Sequence, residues 1–87
     1  MYQVIIEETA HKDLNRLPKH EVAQILKACE NLMNNPRPYG TQKLAGHSDG
    51  YRIREGDYRI IYSIDDKQKI VTAMYARHRK DVYRHLN

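Results

Sequence analysis

Residues Tyr51 to Tyr62 read Tyr-Arg-Ile-Arg-Glu-Gly-Asp-Tyr-Arg-Ile-Ile-Tyr, two β-prone runs joined by Glu55-Gly56-Asp57. β-Branched and aromatic residues on both sides of a turn signal predict a β-hairpin, and therefore an antiparallel sheet. Side chains alternate faces along a strand, so Arg52 and Arg54 point one way and Tyr51 and Ile53 the other. Same-face arginines repel one another and cover no core, and Arg59 follows just across the turn. The pattern fits a surface that receives an anion.

Downstream of the hairpin, the second of its strands is predicted over Tyr58 to Ile64 and a further strand over Lys69 to Arg77, with Asp65-Asp66-Lys67-Gln68 as the turn between them. Both aspartates read as turn formers rather than as a metal pair. Upstream, residues Pro36 to Gly50 are loop-rich, with two prolines, three glycines and the short apolar element Lys43-Leu44-Ala45. Before that loop, Val22, Ile25, Leu26, Cys29, Leu32 and Met33 follow helical spacing, which predicts a helix from Lys19 to Asn34 stopped by Asn34-Asn35-Pro36. Pro18 separates it from an earlier helix over Ala10 to Leu17, with Ala10, Leu14 and Leu17 on one stripe and Thr9 as its cap. Tyr2 to Ile6 is a β-branched run and a first strand, and a short final helix is expected over Lys80 to Leu86.

The order β-α-α-β-β-β predicts one α+β domain over residues 1–87. Its sheet is expected to be mostly antiparallel and four-stranded, with the first strand at an edge and the helical hairpin across one face. The other face is left for function. Ile61 shares the parity of Arg59, so that face is not polar throughout.

Eighty-seven residues allow one modest core, and 40% hydrophobic with 30% charged residues suits a globular chain. With neither Phe nor Trp, the seven tyrosines supply all the aromatic bulk. The single cysteine, Cys29, excludes an internal disulfide and sits at a core position of the second helix. No apolar run approaches the ~20 residues that span a bilayer, and a secretory signal pattern is lacking, so an intracellular, cytoplasmic protein without membrane contact is expected. The five histidines show no zinc-like spacing with acids or Cys29, and no Gly-rich phosphate loop is present, so neither a metal nor a cofactor is expected. Net charge is +4, and from Arg77 onward Arg77, Arg79, Lys80 and Arg84 face only Asp81. Solvated charge is the plain alternative, but two separated basic clusters point to nucleic acid.

If the strands meander, Arg77 returns beside Arg59 and the two clusters meet. Arginine is a planar, permanently charged fork suited to phosphate oxygens. Arginines beside tyrosines and His78 make a backbone clamp with a stacking surface for RNA or DNA. RNA cleavage needs a base for the 2′-hydroxyl, cations for the phosphorane-like transition state, and an acid for the leaving 5′-oxygen. Arginines can serve the second need. An imidazole can accept or give a proton, so His78 could move either one, and Tyr83 could donate one or stack on a base.

The opening strand, Ala10-x-x-Asp13-Leu14-x-x-Leu17-Pro18, Lys43-Leu44, the hairpin, and Arg77-His78-Arg79-Lys80-Asp81-Val82-Tyr83-Arg84 together resemble the RelE/ParE superfamily of type II toxin–antitoxin toxins. The RelE branch is the nearer match, over almost the whole chain. The resemblance implies a ribosome-dependent, metal-independent mRNA endonuclease acting in the ribosomal A site and leaving a 2′,3′-cyclic phosphate. It further implies that Arg52 and Arg54 stand at two basic strand positions, Arg59 at the next strand's arginine, Arg77 at a catalytic arginine and Tyr83 at the terminal tyrosine. Lys43, Arg79, Lys80 and Arg84 would then hold RNA. A cognate antitoxin is implied as partner, acidic where it meets the toxin, with operator DNA engaged only through that antitoxin. Arg52 and Arg54 replace lysines of well-known members, and arginine, with a pKa above ~12, is a poor general base. His78 becomes the stronger candidate. The alternatives are a ParE-type inhibitor of DNA gyrase on the same fold, or a degenerate toxin that only binds antitoxin or nucleic acid.

Overall fold

The computed structural model describes residues 1–81. Tyr83, Arg84 and all but the first two residues of the expected final helix lie outside the described residues; Lys80 and Asp81 form a turn in which the Asp81 amide donates to the His78 carbonyl at 2.8 Å. The elements run β1 (Gln3–Ile6), α1 (Glu8–Leu14), α2 (Lys19–Asn31), β2 (Gln42–Lys43), β3 (Gly50–Glu55), β4 (Tyr58–Asp65) and β5 (Ile70–His78).

The sheet has five strands in the order β1-β5-β4-β3-β2, one more than the sequence predicts. The addition is β2, a two-residue strand pairing Gln42 with Arg52 and Lys43 with Tyr51 inside the segment read as loop. Two residues are too few to show an alternating pattern, and only the partner strand makes them a strand. β1 pairs parallel to β5 at the sheet's edge, and the other pairings are antiparallel. The helices cover one face: Leu14, Ile25, Cys29 and Leu32 meet Ile60, Tyr62, Ile64, Val71, Ala73 and Ala76 in the core. Burial pushes the Cys29 thiol up to about 11, so it stays protonated and acts as packing.

Both helices differ from expectation at their ends. After Asn31 the chain tightens into i→i+3 bonds, Leu32 to Cys29 at 3.1 Å and Met33 to Glu30 at 3.0 Å, so the apolar spacing outlasts the α-helix. α1 begins at Glu8, and Thr9 does not cap it. The Thr9 hydroxyl instead donates to the Met74 carbonyl at 2.7 Å. The cause is the shortness of β1, which pairs with β5 only as far as Ala73. Beyond that point β5 has a bare edge, and α1 side chains satisfy it. The Ala76 amide donates to Asp13 Oδ2 at 3.0 Å. Edge backbone groups that would otherwise lack partners are thereby closed.

Candidate active site

The β3–β4 register sets Arg54 opposite Arg59, and the β4–β5 register sets Arg59 opposite Arg77. Three adjacent strands therefore each contribute one arginine to a row across the open face, their backbones ~5 Å apart. The next row reads Gln42, Arg52, Ile61 and Tyr75. Arg52 Nε donates to Gln42 Oε1 at 2.9 Å, which fixes its stem along the sheet. Gly40, Gln42, Arg52, Arg54 and Arg59 line a groove of about 270 Å³.

Arg77 reaches this row because β5 carries a bulge. Val71 and Ala73 face the helices, and unbroken alternation would turn Arg77 toward them as well. Between Ile61 and Tyr62 the register slips: Tyr62 pairs with Ala73 and Ile61 with Tyr75, leaving Met74 as the extra residue. Ala76 then enters the core, while Tyr75 and Arg77 turn to the arginine face.

The electrostatics of the row are unfavourable in isolation. Burial, then the positive charges of Arg54, Arg52 and Arg79, push the Arg59 guanidinium below its ordinary value, with Asp57 opposing them. It remains charged at neutral pH, since arginine starts above ~12. Arg59 Nη1 and Arg77 Nη1 are both buried and hydrogen-bond no group among the described residues. Buried charged donors without acceptors are costly. Arg77 is otherwise held on two sides. Its Nε donates to Asp13 Oδ2 at 3.1 Å, and its guanidinium lies 4.3 Å from the centre of the Tyr75 ring.

Arg52, Arg54 and Arg59 thus share one groove, and Arg77 joins their row by register while its side chain borders a neighbouring cleft with Asp13. His78 does not join the row. Directly after Arg77 on a strand, it has the opposite direction and pairs with Tyr58, whose ring it meets edge-on at 5.5 Å. His78 Nδ1 accepts from the Lys80 amide at 3.2 Å, so neutral His78 carries its proton on Nε2. Together with Asp13, Arg16, Tyr58, Arg77 and Asp81 it borders a second cleft of about 370 Å³. Lys43 pairs with Tyr51 and shares its direction, away from the arginine row. Arg79 stays near, with its amide donating to the Asp57 carbonyl at 2.8 Å, and Lys80 is exposed.

Sequence reasoning missed Tyr75, Gln42 and the part of Asp13. Tyr75 faces the arginines only through the bulge, which has no plain sequence mark. Asp13 did leave one: it occupies the apolar stripe of α1 beside Ala10, Leu14 and Leu17, where a carboxylate needs a partner.

Known proteins agree with this architecture. A family model described as the ParE toxin of type II toxin-antitoxin system, parDE, matches residues 4–83. Toxin RelE of Mycobacterium tuberculosis is 37% identical over 89 residues, covering 95% of this chain and 87% of the relative. The chain belongs to the RelE/ParE toxin superfamily. Toxin RelG of the same organism is 32% identical over 84 residues, covering 95% and 97% of the two chains. Among solved structures, the archaeal RelE–RelB complex from Pyrococcus horikoshii OT3 contains a chain 35% identical, with TM-score 0.79, covering 90% of this chain and 94% of that one. The protein is therefore a type II toxin with the RelE-like α+β fold. Among the described residues no helix is long and apolar enough to cross a membrane.

Proposed function

We propose that this RelE/ParE toxin is a cytoplasmic endoribonuclease that cuts mRNA in the ribosomal A site and so stops translation. The observation that carries the reading is the Arg54–Arg59–Arg77 row, in which two buried Nη1 atoms have no acceptor among the described residues. A phosphodiester under attack by its own 2′-oxygen gathers negative charge on its non-bridging oxygens. Fixed guanidinium donors aimed at that charge stabilise the transition state without reorganising. Arg52 and Arg54 hold the strand's flanking phosphates, while Arg59 and Arg77 face the reacting one. No metal enters this scheme. The 2′-hydroxyl proton does not pass to an arginine. His78, on the far side of Arg77, takes that proton through a water, and Tyr83 donates one to the leaving 5′-oxygen or stacks on a base.

The relatives solved as RelE–RelB complexes support a cognate antitoxin as partner. An acidic antitoxin segment would neutralise the row, and DNA would be reached through the antitoxin. A second reading rests on the family model's own description as a ParE toxin. It makes the protein an inhibitor of DNA gyrase, with the row binding a partner and cutting nothing. Induced expression with primer-extension mapping of mRNA ends, beside a supercoiling assay, separates the two. Codon-phased, ribosome-dependent ends are expected. Intact mRNA with inhibited gyrase would overturn the nuclease reading, and intact mRNA with active gyrase would leave a binding-only protein.

A further inference from the structure

We infer that Asp13 is the positioning residue for Arg77: it holds the guanidinium by Nε and so fixes how its terminal nitrogens are presented to the phosphate. The inference rests on the nuclease reading above and assigns a part to a carboxylate outside the arginine face.

Asp13 is 8% exposed and lies on α1, which belongs to the helical layer. It reaches the arginine face because β1 ends at Ile6 and α1 takes over the edge of β5. Its Oδ2 accepts twice, from the Ala76 amide at 3.0 Å and from Arg77 Nε at 3.1 Å, and Oδ1 lies 3.3 Å from the same Nε. The Ala76 bond fixes the carboxylate to the backbone of the strand that carries Arg77. Carboxylate and guanidinium are therefore referenced to one another through a single residue of chain. Tyr75 flanks the guanidinium at 4.3 Å, so both its plane and its rotation about Nε are restricted.

The contact is to Nε rather than to the paired Nη atoms. Engagement at Nε leaves the terminal nitrogens for another acceptor, and Nη1 has none among the described residues. The arrangement resembles the carboxylate that orients a catalytic histidine: it touches no substrate and sets the direction of the group that does.

Asp13→Asn weakens one of the two contacts selectively. A side-chain carbonyl at the Oδ2 position still accepts from the Ala76 amide. The negative charge is gone, and the new NH2, in place of Oδ1, turns a donor toward the Arg77 Nε–H, so the grip on the guanidinium is weakened while the tie to the strand remains. Single-turnover cleavage of ribosome-bound mRNA should fall on the order of 10- to 100-fold, in the rate and not in half-saturation. In an Arg77→Ala background the same change should alter the rate by less than about twofold, because the group being positioned is gone. A purely structural Asp13 would lower both backgrounds equally. An independent reading is the Arg77 Nε–H resonance by NMR, expected to be protected from solvent exchange in the native protein and to exchange faster in Asp13→Asn. Equal losses in the two backgrounds, unchanged cleavage, or an Nε–H that stays protected would each overturn the assignment. A native protein that cuts no mRNA would sink the nuclease reading, and with it the catalytic part of Asp13, even if Nε–H behaved as expected.

Discussion

Arg37 and Arg59 stand near opposite ends of β4 and keep opposite company. Arg37 forms a fork with Asp66 in the β4–β5 turn, Nη1 to Oδ1 at 3.2 Å and Nη2 to Oδ2 at 2.8 Å. It also donates to the Tyr51 hydroxyl at 3.3 Å and lies over that ring at 5.1 Å. Tyr51 stacks on buried Tyr62 with centroids 6.0 Å apart, and Tyr2 adds a 2.6 Å bond to Asp66. The result pins the loop after α2 to the turn before β5. Among the described residues Arg59 has no such ring of partners; its neighbours are Arg54, Arg52, Arg79 and, across the strand, Arg77. One end completes its charges by folding, and the other, on the proposed nuclease reading, is completed by phosphate. A sheet with both ends built like Arg59 would be less stable, and one with both ends built like Arg37 would have nothing left for phosphate.

The contrast is tested most severely at Arg59. Arg59→Met keeps the apolar stem and removes the charge. Cleavage should fall about 100-fold or more, as for loss of one oxyanion donor. Thermal unfolding should move upward or stay put, because a buried unpaired donor and like-charge repulsion disappear together. Single-turnover cleavage and a melting curve on the same preparation check both halves. A lower Tm with full cleavage would mean that Arg59 is structural and that the two ends do not differ in kind.

The hairpin, the αα-pair and the arginine parity of Arg52, Arg54 and Arg59 were legible because each is a local pattern: alternation, helical spacing and turn residues. The meeting of Arg77 with Arg59 followed from the meander. What escaped depends on partners distant in sequence. The strand character of Gln42 and Lys43 is conferred by β3, and the edge closed by Thr9 and Asp13 exists because β1 stops at Ile6. His78 was grouped with Arg77 by adjacency, whereas adjacency in a strand means opposite faces. The Arg37 cluster joins Tyr2, Arg37, Tyr51 and Asp66 across the whole chain, and none of these residues stands out in its own segment.

At the other end the expected effects are smaller and reversed in kind. Arg37→Met should lower the Tm by on the order of a few degrees, since the fork is partly solvent-exposed and surface pairs contribute little. Cleavage per folded molecule should stay within about twofold, because Arg37 lies away from the arginine row. The same pair of measurements reads it. A large loss of cleavage at an unchanged Tm would place Arg37 among the RNA contacts and erase the division of labour.

The smallest effect is one of acidity. The Arg37 fork, then the Tyr2 hydroxyl, hold the Asp66 carboxyl down to about 2, below the ~3.9 of an unfolded chain. A depressed folded value means that Asp66 stabilises the fold fully above about pH 4. That contribution fades as pH falls from about 4 through about 2, where the native carboxylate takes up its proton. Asp66→Asn cannot titrate, so its Tm should start lower at pH 6 and decline less steeply across that window. Melting curves of both proteins at intervals from pH 6 to pH 2 give the comparison. Parallel curves would show that Asp66 titrates alike folded and unfolded, and that Arg37 is as unpartnered in solution as Arg59.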